Sequence, residues 1–120
     1  MSVVKTAPYK GDVEAVRRVE SERLVARVEP RDRLIVLDER GRDPTTRQFA
    51  AMLKGCRNDG THRVVFALGG AYGHHQLLRD RAWKVMRLSS LVLNHEVARV
   101  VLYEQLYRAM DVLEGGPYHH

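Results

Sequence analysis

The chain has 120 residues, enough for a single core, and residues 1–120 read as one domain. Hydrophobic residues make up 44% and charged residues 29%, an ordinary globular balance that argues against a disordered chain. No apolar run is long enough to cross a bilayer, the lone Cys56 excludes an internal disulfide, and the net charge of +5 leans toward anionic partners.

The opening "MSVVKTAPYKGD" lacks the layout of a signal peptide, and with a single thiol the chain is expected in a reducing cytoplasm. Only Lys5, Lys10, Lys54 and Lys84 are lysines; the other basic residues are arginines, whose planar fork suits phosphate. An arginine-rich genome would give the same bias.

Residues 11 to 28, "GDVEAVRRVESERLVARV", read as a helix capped by Asp12, with Val13, Val16, Leu24 and Val28 on a loose apolar stripe and Pro30 as its stop. "RLIVLDERG" follows as a short continuous apolar run, the pattern of a strand buried on both faces. "DPTTRQFAAMLKGCRNDG" then gives a Thr-capped helix carrying Phe49, Met52 and Leu53. "HRVVFALGG" is a second buried strand, "HHQLLRDRAW" a short helix and "WKVMRLS" a weaker third strand. A last helix opens at Asn94 or His95 and runs to about Leu113, where Gly115, Gly116 and Pro117 stop it. Strands alternating with helices predict an α/β fold with a mostly parallel sheet flanked by helices. Three strands make a small parallel sheet with poorly protected edges.

Two loops are candidates for ligand binding. "FALGGAYGHH" places Gly69 and Gly70 at the carboxyl end of a buried strand, where open α/β sheets hold ligands. It is neither a dinucleotide fingerprint nor a P-loop, and a plain tight turn explains it equally well. "LSSLVLNH" (88 to 95) is apolar at Leu91, Val92 and Leu93, as suits a buried connector or a wrap around an apolar face such as adenine. His95 is either a helix-start surface residue or a group acting on a proton beside that ligand. His74 and His75 are neighbours in sequence and do not share a helix face, so no metal site is expected.

The last helix has a wide apolar arc of Ala98, Val101, Leu102, Gln105, Leu106, Ala109, Val112 and Leu113. Arg99, Tyr103 and Tyr107 line another face, with Glu104 and Arg108 beside them as an i,i+4 pair. Two tyrosines between arginines suit a face that meets a second copy of the chain or RNA.

From "LIVLDERG" onward, over residues 13 to 120, the chain resembles a known family. "LDERG", "FALGGAYG", "LSSLVLNHEVARVVLYEQLYRA" and the closing "PYHH" occur in this order and spacing in the RlmH-type SPOUT methyltransferases, which methylate N3 of a pseudouridine in bacterial 23S ribosomal RNA. The resemblance implies a C-terminal trefoil knot, a homodimer, and S-adenosylmethionine held by three loops. Those loops correspond here to Leu37 with Asp38, to Gly69 with Gly70, and to Ser89, Ser90, Leu91, Val92, Leu93 and Asn94. His95, Arg108, Tyr118 and His119 fall at positions the family uses near the RNA base, with the tail meeting the cofactor loops across the dimer. Two departures stand out. Asn94 occupies a position that is usually proline in the family, and the family's first strands are missing, so that the N-terminus is expected to fall within the first helix, through a misplaced start or a truncation. The alternative implied is a catalytically impaired SPOUT-fold dimer that binds RNA or the ribosome.

Overall fold

A computed structural model describes residues 2–5, 13–68 and 76–117. The elements in chain order are β1 (Ser2–Lys5), α1 (Val13–Arg27), β2 (Arg33–Arg42), α2 (Thr46–Asn58), β3 (Val64–Leu68), α3 (Gln76–Arg81), β4 (Lys84–Met86) and α4 (His95–Leu113). The strands form one sheet in the order β1-β3-β2-β4, and every pairing is parallel.

The apolar runs become the central strands because both of their faces are covered. Along β2, Ile35 and Leu37 face a core shared with Phe49 and Leu53 of α2 and Leu102, Leu106 and Ala109 of α4. The alternate residues Leu34 and Val36 face a smaller core with Leu24 of α1 and Leu78 of α3. β3 divides in the same way, with Phe66 on the larger side and Val65 and Ala67 on the smaller. The result is a three-layer sandwich, α2 and α4 on one face and α1 and α3 on the other. An alternating strand would have signalled a solvated face; a continuous run signals this arrangement.

Local chemistry sets the helix starts. Thr45 caps α2 in a full capping box, its hydroxyl accepting from the Gln48 N–H at 3.1 Å while Gln48 accepts from the Thr45 N–H at 2.8 Å. The Thr46 hydroxyl then reaches across to Gln105 Oε1 at 2.6 Å, tying α2 to α4 inside the apolar arc.

The expectation about the first helix needs correcting. The N-terminus does not fall within α1, because β1 precedes it and pairs with β3, matching Ser2 to Val65 and Lys5 to Leu68. The outer edge of β3 is thereby covered. A four-residue strand is too short to show a period, so sequence reading passes over it.

Candidate functional site

In a parallel sheet all carboxyl ends lie on one side, and register decides which loops meet there. Leu37 of β2 is level with Leu68 of β3 on one flank and with Met86 of β4 on the other. Leu68 and Met86 are the last residues of β3 and β4, so these two strands end on either side of Leu37, while β2 itself continues to Arg42. Of the residues expected there, Gly69 and Gly70 lie outside the described residues, as do the tail residues Tyr118 and His119.

Leu37 is buried in the larger core. The Asp38 carboxylate accepts from the Arg40 N–H at 2.9 Å and from Arg79 Nη1 of α3 at 3.3 Å. Burial pushes its pKa up as the largest single influence, but the hydrogen bonds from Arg40 and the charges of Arg40 and Arg79 together outweigh it and hold Asp38 below the usual carboxylate range. Asp38 is thus a carboxylate anchor within the outer half of β2 that joins the strand to α3.

The loop from 88 to 94 is shaped by its own polar groups. Ser89 Oγ accepts from the Leu91 N–H at 3.0 Å, a turn that throws Leu91 and Val92 outward, where they are 76% and 80% exposed. Ser90 is exposed and Leu93 half-buried. Asn94 is the N-cap of α4, its Oδ1 accepting from the Glu96 N–H at 2.9 Å. Asparagine ranks among the best N-cap residues, which gives the departure from proline a structural rationale.

His95 is the first residue of α4 and is half-buried. Arg108 lies near the other end of the same helix, its Nε donating to Glu104. At about 1.5 Å of rise per residue the two positions are separated by about 20 Å along the axis. Within the chain, His95 and Arg108 are therefore not brought into a common site.

Other contributing residues escape a reading of the sequence alone. Gly41 permits the close approach of β2 and β4: a Cβ there would stand 2.6 to 2.7 Å from the backbone of Met86. Arg87 closes the same corner, its N–H donating to the Arg42 carbonyl at 2.7 Å and its Nη2 to Asp43 at 3.1 Å. On α4, Val97, Val100, Tyr103, Tyr107 and Met110 are all exposed, and their spacing puts them on one face. The two tyrosines were legible; Val97, Val100 and Met110 were not, because only the packing shows that the arc beside them is the buried one.

At the opposite end of the sheet, Glu29, Asp32 and His62 place one possible ligand atom each within 4.8 Å. Arg63 Nε holds Asp32 Oδ2 at 2.8 Å, which makes the group an ion-pair cluster. Among the described residues no helix is long and apolar enough to cross a membrane.

These features define an α/β protein with a parallel sheet between helical layers and an exposed apolar face on its last helix. A family model described as "Predicted SPOUT methyltransferase" matches residues 1–119, and the chain belongs to that family. It is 45% identical over 120 residues to an Arabidopsis thaliana protein named as an RNA methyltransferase, the match taking in 99% of this chain and 62% of that protein. It is 47% identical over 107 residues to the ribosomal RNA large subunit methyltransferase H of Geobacter metallireducens, covering 89% of this chain and 70% of the relative. The protein of the same name from Geobacter sp. strain M21 is 40% identical over 121 residues, covering 100% of this chain and 79% of the relative. The chain thus spans less than two thirds of the Arabidopsis relative's length.

Proposed function

We propose that this protein is an S-adenosylmethionine-dependent methyltransferase that acts, as a cytoplasmic homodimer, on N3 of a pseudouridine in 23S ribosomal RNA. The observation that supports the reading is the register that puts the last residues of β3 and β4, Leu68 and Met86, level with Leu37, where the first family-matched segment begins. The names of the relatives supply the RNA class.

The edge suits a nucleoside cofactor. Leu91 and Val92 offer exposed apolar side chains for an adenine face, and Gly69 and Gly70, which lack side chains, suit close approach by the polar part. When bound, S-adenosylmethionine supplies a methyl group already made electrophilic by its sulfonium. What the chain must do is hold the target nitrogen in line and manage its proton. Asp38, clamped by Arg40 and Arg79, keeps one wall rigid; Asn94 and the Ser89 turn fix another. His95, at the mouth of that loop, accepts or relays the imide proton as N3 is methylated. Arg108 and His119 favour the imide anion, and Tyr118 contacts the base.

His95 and Arg108 sit too far apart on α4 to serve one site within a protomer, which supports a site shared between two copies. The exposed face of Val97, Val100, Tyr103, Tyr107 and Met110 is the surface on which a second copy would pack. The C-terminal knot of the family belongs to this reading as well.

The test is mass spectrometry of ribosomal RNA from a strain lacking the gene, with calorimetry of the purified protein against S-adenosylmethionine. Loss of one methyl on a pseudouridine together with cofactor binding is expected. Unchanged RNA alongside retained RNA binding would favour the catalytically impaired dimer instead.

A further inference from the structure

The end of the sheet opposite the cofactor loops carries a polar cleft of about 510 Å³, lined among others by Arg31, Arg33, Asp59, Gly60, Arg81 and Trp83. Its charge balance is uneven. Arg33 is matched: its Nη2 meets Asp59 Oδ2 at 2.7 Å, and its guanidinium lies over the Trp83 ring at 4.4 Å. Asp32, also in the wall, is matched by Arg63 at 2.8 Å. Arg31 and Arg81 donate instead to backbone carbonyls, Arg31 to Gly60 at 3.0 Å and Arg81 to Glu29 at 3.1 Å.

Capping a carbonyl orients a guanidinium without neutralising it. Each of these arginines has donors to spare beyond that one bond. The helix ends nearby contribute only about half a unit of negative charge each, spread over several carbonyls. Two full positive charges are therefore held in place on the wall of an open cleft, beside the Arg33–Trp83 stack and an accessible Lys84 whose Nζ is 5.3 Å from the same ring. Oriented guanidinium groups beside an aromatic ring are the chemistry that grips a phosphodiester chain.

We infer that this cleft is a second RNA-backbone contact, gripping phosphates through Arg31 and Arg81 at the end of the sheet away from the methyl-transfer site. It rests on the RNA-substrate reading above for the identity of the polyanion. A target base held at one end of the molecule and phosphates held at the other would orient a small protein on a large RNA, since phosphate contacts set position while the base site sets specificity.

The experiment uses the full chain and a short fluorescein-labelled oligouridylate, with anisotropy followed across a salt titration. Arg31→Glu with Arg81→Glu should weaken binding at least about tenfold at low salt and lower the slope of log affinity against log salt by about 1.4, two single-strand phosphates' worth. Arg31→Lys with Arg81→Lys should keep most of the slope. Because both arginines also cap carbonyls, the wild-type protein is examined in parallel by phenylglyoxal modification and peptide mass spectrometry, where the oligouridylate should protect Arg31 and Arg81. An unchanged slope in a folded Glu variant, or equal modification with and without RNA, would overturn the inference. Calorimetry with S-adenosylmethionine on the same samples separates the two readings. Cofactor binding without protection sinks the cleft alone, and protection without cofactor binding sinks the methyltransferase reading alone.

Discussion

Asp32 shows how one side chain can hold the amino end of the sheet. Its side chain is 0% exposed, and Oδ2 takes both the Glu29 N–H and Arg63 Nε at 2.8 Å. Burial is the largest influence on its pKa and acts upward, yet the Glu29 hydrogen bond and Arg63 prevail and hold Asp32 below the usual carboxylate value, as their counterparts do for Asp38. A lowered folded-state pKa contributes stability that is complete above the unfolded value, near about pH 4, and is lost as pH falls through the folded one. The urea midpoint should therefore be flat near neutrality and fall on acidification below about pH 4. Asp32→Asn should lower the midpoint at neutral pH and flatten the acid limb; an unaltered acid limb would show that the carboxylate's ionisation contributes nothing. Gly41 acts through space in place of charge. Gly41→Ala pushes a methyl into the Met86 backbone and should cost about 3 kcal/mol in urea unfolding, the upper part of the range for overpacking. Neither residue stands out in the sequence, since Asp32 reads as a turn residue and Gly41 as the end of a strand.

At the scale of elements, α2 and α4 illustrate two kinds of legibility. The α2 start follows from Thr45 and Gln48, a local signal, and the capping box is present as those residues suggest. Thr45→Ala should cost about 1 kcal/mol, read from the urea midpoint at constant m-value. The bounds of α4 were equally legible from Asn94 and the Gly115–Gly116–Pro117 stop. Its surfaces were only half so. The arc of Leu102, Leu106 and Ala109 is buried as its period suggests, while Val100 at 67% and Tyr107 at 61% are exposed. Val100→Glu should shift the protein from dimer to monomer in sedimentation velocity while leaving helix content intact, because a side chain so exposed contributes little within its own protomer. A variant that sediments like wild type would remove this face from the dimer reading.

For the whole molecule, the two proposed contacts lie at opposite ends of the sheet. Register brings the last residues of β3 and β4, Leu68 and Met86, level with Leu37 at one end, and the arginine cleft lies at the other. The tail Tyr118 and His119 lies outside the described residues, and its role follows from the methyltransferase reading. A chain ending at Gly116 should still dimerise and bind S-adenosylmethionine but lose methylation of ribosomal RNA; full activity would assign the tail no part.

The sequence by itself determined the α/β alternation, both central strands and the helix bounds. Those depend on hydrophobic period, caps and breakers, which act within a few residues. It also carried the motifs by which the family was recognised. Only the tertiary structure decided the strand order β1-β3-β2-β4, the added strand β1, and the meeting of Arg31, Arg33, Arg81 and Trp83 in one cleft. Each of these joins positions far apart in the chain, and such relations exist only once the layers have packed.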